Sequence, residues 1–74
     1  MTTLEIRAVW DDEASVWVAG SDDVLGLIAE AVTLESLMAK LETPIPELME
    51  LNCGITGAFL FRLVAERTAL AQAA

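Results

Sequence analysis

Apolar and polar positions alternate from Leu4 to Trp10, with Leu4, Ile6, Ala8 and Trp10 on one face and Glu5, Arg7 and Val9 on the other. That period of two predicts a half-buried strand. Asp11, Asp12, Glu13 and Ala14 supply turn chemistry, and Ser15 to Ala19 then carries Val16, Trp17 and Val18, residues that fit a pleated surface. A hairpin follows, with Trp10 and Trp17 facing each other across it. Gly20, Ser21, Asp22 and Asp23 interrupt the alternation, and Gly26 lets the backbone bend before a third strand over Leu27 to Ala31.

The period then lengthens to 3.6. Thr33 is placed to cap a helix whose apolar residues Leu34, Leu37, Met38 and Leu41 follow the i, i+3, i+4, i+7 rule, with Glu35 near the positive end of the dipole. Pro44 and Pro46 lack amide donors and oppose a continuous helix, yet Ile45, Leu48 and Met49 stay in phase with the same stripe. Thr43 as a second N-cap, with the prolines in the first turn where amides have no intrahelical partner, resolves the conflict. The expectation is one kinked helix or two nearly collinear ones, ending at Asn52 to Gly54, where Asn52 and Gly54 both suit a left-handed cap.

After Gly57 the alternation returns over Ala58 to Glu66. Phe59, Phe61, Leu63 and Ala65 share one face, and Leu60, Arg62, Val64 and Glu66 share the other. The order βββαβ predicts an α+β fold: a single four-stranded sheet in the spatial order 3-2-1-4, with the kinked or two-part helix on one face and nothing on the other. Residues 1–67 make one domain, and a short alanine-rich tail, 68–74, is marginal as a helical turn or disordered.

Composition changes the picture in one direction. Twelve acidic and four basic residues give a formal net charge of −8, which argues against a nucleic-acid surface and for a basic or apolar partner. Histidine and tyrosine are absent and Cys53 is the one cysteine, so a Ser/His or Cys/His pair, a histidine-ligated metal and an internal disulfide are all out of reach. A non-enzymatic protein with no metal and no cofactor is expected. At 55% hydrophobic residues the chain is too apolar to stay unfolded. Its longest uncharged stretch, Leu51 to Phe61, is far shorter than the roughly 20 residues that span a bilayer. With no signal-peptide pattern at the N-terminus, a cytoplasmic protein is expected.

The acidic clusters Asp11-Asp12-Glu13 and Asp22-Asp23 lack the alternating spacing of a calcium loop and lie at opposite ends of the second strand. They read as solvated turns. Glu35, Glu42, Glu47 and Glu50 have no base or acid of another type beside them and read as surface carboxylates, which leaves a vestigial metal-dependent nuclease without its ligands. Cys53, away from any basic cluster, reads as structural filler. Trp10 and Trp17 are either hairpin packing or an aromatic anchor. Strand four is apolar on both sides beside one helix layer, so Leu60, Val64 and the stem of Arg62 imply a cover from another chain, at a strand that is also a sheet edge. The candidate interface is therefore Trp10, Trp17, Asp22, Asp23, Leu60, Arg62 and Val64.

These same residues carry a resemblance. The hairpin around Trp10-Asp11-Asp12-Glu13, the strand Val16-Trp17-Val18-Ala19, the Ser21-Asp22-Asp23-Val24-Leu25-Gly26-Leu27 loop, the Thr33-Leu34-Glu35 helix start and the final Phe61-Arg62-Leu63-Val64-Ala65-Glu66-Arg67 together resemble the small HicB-like antitoxin domain family. The resemblance implies a partial ribonuclease-H-like fold without catalytic carboxylates. It also implies a partner, a small basic HicA-type ribonuclease toxin, which an acidic chain would meet quickly and block. Longer members carry a DNA-binding module, for which the residues after strand four leave no counterpart, so no direct nucleic-acid contact is expected. The rival reading is a homodimeric structural or interaction domain with no toxin partner.

Overall fold

The computed structural model describes residues 2–73, so Met1 of the expected domain and Ala74 of the expected tail lie outside the described residues. Six elements follow in order: β1 (Thr3–Asp11), β2 (Val16–Gly20), β3 (Ala29–Ala31), α1 (Leu34–Leu41), α2 (Pro44–Cys53) and β4 (Leu60–Glu66). The fold is α+β, a four-stranded mixed sheet in the order β3-β2-β1-β4. β1 pairs antiparallel with β2 and parallel with β4, and β2 pairs antiparallel with β3.

The alternation of β1 works as expected, because Leu4, Ile6 and Ala8 are buried while Arg7 and Val9 on the other face are exposed. The core lies between this face and the helices. Ile6, Val24, Leu37, Leu41 and Ile45 are the largest fully buried side chains. Beneath α1 the sheet offers mainly small residues, Ala8 and Ala19 paired with each other and Ala29 and Ala31 on β3. Small positions in the sheet let Leu37 and Leu41 descend from the helix without leaving voids, the alternation of sizes that dense cores require.

Thr33 caps α1 as the sequence predicts. Its backbone is extended (φ −123°, ψ 157°) and its hydroxyl accepts from the Ser36 amide at 3.1 Å. The two-helix alternative is the one adopted, with α1 closing at Glu42 and α2 opening at Pro44. Thr43 stands at the second N-cap position but makes no side-chain cap, because its backbone is already helical (φ −86°, ψ −52°); from that conformation the hydroxyl is not aimed at the free amides, which the prolines have in any case thinned. Asn52 is a helical residue rather than a cap. Its side chain donates to the Leu25 carbonyl at 2.8 Å and ties α2 to the β2–β3 loop. Gly54 alone adopts the left-handed conformation (φ 67°), with its amide donating to Glu50, a conformation glycine enters without penalty.

Several boundaries differ from the periodic reading. Ser15 belongs to the turn, at φ 56°, held by the bond from its amide to the Asp11 carbonyl. β3 is three residues rather than five: Leu27 is drawn into the core by a turn in which its amide donates to Val24 around Gly26 (φ 82°), leaving too little chain to pair. β4 starts at Leu60, two residues late, because the register with β1 begins at Thr3 and gives Ala58 and Phe59 no partner. The segment Arg67–Ala73 is exposed and without regular structure.

Candidate protein-binding face

Alternation decides which side chains each sheet face receives. With helices on the face of Leu4, Ile6 and Ala8, the opposite face carries Glu5, Arg7, Val9 and Asp11 from β1, Val16 and Val18 from β2, Glu30 from β3, and Leu60, Arg62, Val64 and Glu66 from β4. No element of the described chain covers it. Across the strands, Val64 stands beside Arg7 and Gly20, and Glu66 stands in a row with Val9, Val18 and Glu30. Val9 is 58% exposed and Leu60 56%, and Ile28, beside Val9 and Val18 in a shallow depression, is 78% exposed. Val9, Val18 and Ile28 thus form one exposed aliphatic group, and Leu60 lies apart from it at the far end of β4, beyond Glu5, Arg7 and Arg62; a contiguous exposed group of this kind is a candidate contact surface for another protein.

The charges on this face partly cancel. Arg7 and Arg62 supply +2 and Glu5, Asp11, Glu30 and Glu66 supply −4, so the face holds −2 of the molecule's −8. Glu5 lies 3.5 Å from Arg62 and 4.0 Å from Arg7, in pairs whose arginines are about two-thirds exposed. Such pairs contribute at most about 1 kcal/mol. Most of the negative charge lies elsewhere, on the hairpin turn, the β2–β3 loop and the outer sides of the helices.

The sequence-derived interface residues separate into three groups. Leu60, Arg62 and Val64 lie on the bare face. Trp10 and Trp17 do not, since they share the helix side with Ala8 and Ala19. Their rings meet edge-on at 5.4 Å, the Trp10 indole donates to Asp12 at 2.8 Å, and the Arg67 guanidinium sits 4.0 Å over the Trp10 ring. This places the pair in the hairpin-packing arrangement, with Trp17 also touching the core.

Asp22 and Asp23 form the third group. Asp22 is exposed at the rim of the depression that holds Val9, Val18 and Ile28. Asp23 instead completes the sheet: β2 ends at Gly20 opposite Arg7, and beyond it the Asp23 carboxylate accepts from the Glu5 amide at 2.8 Å while the Ser21 hydroxyl donates to the Glu5 carbonyl at 2.5 Å. Ser21 also accepts from the amides of Asp23 and Val24. Val9, Val18 and Ile28 were missed by a reading centred on strand four, although their alternation opposite Ala8, Ala19 and Ala29 was the signal.

Cys53, expected as filler, ends α2 with its thiol exposed; the buried stripe of α2 is made by Ile45 and Met49, and Cys53 falls off it. Among the described residues no three histidine, cysteine, aspartate or glutamate side chains gather as a metal site. No helix among them is long and apolar enough to cross a membrane.

Residues 3–73 match the family described as "Domain of unknown function (DUF1902)". The chain is also similar to the hypothetical protein TTHA1013 from the extremely thermophilic bacterium Thermus thermophilus, known from a crystal structure. The two are 49% identical over 96% of this chain and 99% of that one, with a TM-score of 0.72. No curated protein matches.

Proposed function

We propose that this chain, which belongs to the DUF1902 family, is a non-enzymatic, HicB-like antitoxin module acting in the cytoplasm, which neutralises a small basic ribonuclease of the HicA type by covering it. The observation that carries this reading is the uncovered sheet face, where Val9, Val18, Ile28, Leu60 and Val64 offer apolar surface to another protein. Burial of that surface supplies affinity at about 25 cal/mol per Å² before the costs of association. The acidic remainder of the molecule supplies attraction at a distance, which raises the rate of encounter with a basic partner and weakens with salt. An arrangement that blocks an RNA-binding surface needs no catalytic residue of its own.

The test is inhibition of RNA cleavage by a purified small basic HicA-type ribonuclease at physiological salt. Stoichiometric inhibition by this chain is expected, with Val9→Lys/Val18→Lys losing it by at least about tenfold, the effect of roughly 1.4 kcal/mol. Asp22→Lys is expected to slow association and flatten its salt dependence while leaving dissociation near the original rate. Cleavage that continues undiminished in molar excess of the chain would reject the reading.

A further inference from the structure

We propose that the outer edge of β4 pairs with β4 of a second copy of this chain, antiparallel about a two-fold axis at Val64, joining two sheets into one of eight strands. The inference does not rest on the antitoxin reading and involves no toxin.

The sheet has two edges, and they are treated differently. β3 is three residues long, and the Lys40 ammonium donates to its Glu30 carbonyl at 2.8 Å. Shortness and a covering lysine are two of the devices that blunt an edge against pairing. β4 has seven residues, matches β1 one for one from Leu60 to Glu66 without a bulge, and contains no proline. Its outward row of amides and carbonyls therefore runs straight along the strand, with apolar residues on the helix face and Leu60 and Val64 alternating with Arg62 and Glu66 on the other.

The sequence of β4 identifies the occupant. Its only charged residues, Arg62 and Glu66, are four apart with Val64 midway. Antiparallel pairing centred on Val64 sets Arg62 opposite Glu66 of the second copy, twice over by symmetry, with Leu63 opposite Ala65 and Val64 opposite itself. Directly opposed residues share a face, so both ion pairs form on the bare side and both pairs of helices lie together on the other. Centring on Leu63 places Arg62 against Val64 and Glu66 against Leu60; centring on Ala65 places Glu66 against Val64. Neither joins the charges. β4 is also electrically neutral in a molecule of net charge −8, so two copies meet where repulsion is least, whereas a basic partner is drawn to the acidic loops.

Sedimentation equilibrium of the full chain alone, across concentration, reads the pairing directly. Wild type is expected to approach twice its 7.9 kDa chain mass. Arg62→Glu and Glu66→Arg each set like charges opposite one another at two symmetric places and should raise the dissociation constant roughly 5- to 30-fold. The double variant Arg62→Glu/Glu66→Arg restores opposite charges and should return the constant to near its starting value. Circular dichroism checks that each variant is folded, and should Arg62→Glu unfold through repulsion from Glu5, Glu66→Arg carries the same test. A monomer at every concentration, a single variant that dimerises like wild type, or a double variant no tighter than the singles would overturn the proposal.

Discussion

Ser21 ties two parts of the chain together with one hydroxyl, donating to the Glu5 carbonyl and accepting from the amides of Asp23 and Val24. Ser21→Ala leaves a half-buried strand carbonyl and two loop amides without partners. The expected loss is about 1–3 kcal/mol, or roughly 4–20 °C in Tm for a domain of this size, read by thermal denaturation. The two threonines before the helices make a sharper comparison. Thr33→Ala removes a formed cap and should cost about 1 kcal/mol, whereas Thr43→Ala removes none and should stay within about 0.5 kcal/mol of wild type in the same denaturant titration. A cap residue's identity was legible in the sequence at both places; whether its backbone is extended or helical, which decides if the hydroxyl reaches an amide, was not.

Elements defined by long alternation or a strong stripe, such as β1, β4 and α1, were readable because each position reports the same face. β3 was overestimated because apolar residues in an extended run can enter the core through a turn as readily as through a strand, and Leu27 does so while Ile28 faces outward. For the candidate site, the apolar excess of β4 was visible, but the contribution of β1 and β2 required knowing that no layer covers Val9 and Val18. The small side chain of Ala19, on β2 beside β3, helps α1 lie close to the sheet. Ala19→Leu forces added volume under that helix and should destabilise by about 1–3 kcal/mol, with the loss seen as a lower denaturant midpoint at unchanged slope.

At the scale of the molecule, the Cα radius of gyration is 14.2 Å and the longest extent is 55 Å. A compact chain of 74 residues has a radius of about 11 Å. The excess fits the exposed segment beyond β4, in which Leu70 is 85% exposed. Removing residues 69–74 should therefore bring the radius measured by small-angle X-ray scattering towards the compact value, with stability changed by less than about 0.5 kcal/mol. Arg67 is retained in that variant, since its guanidinium covers Trp10.

The parallel pairing of β1 with β4 joins Thr3 to Leu60 and Val9 to Glu66, 57 positions apart in each case. One flank of the inner strand β1 is thus completed only by the edge strand β4, the last strand of the sheet to be synthesised. At about 5–20 residues per second, β1 waits roughly 3 to 11 s on the ribosome before its neighbour exists. Throughout that interval β1 presents an open flank, and a message broken or a ribosome stalled before codon 60 yields a product that cannot close its own sheet. Quality control can therefore distinguish chains that have reached β4 from those that have not by a single strand, and the cell's holdases and proteases have their opportunity in the interval before that strand emerges.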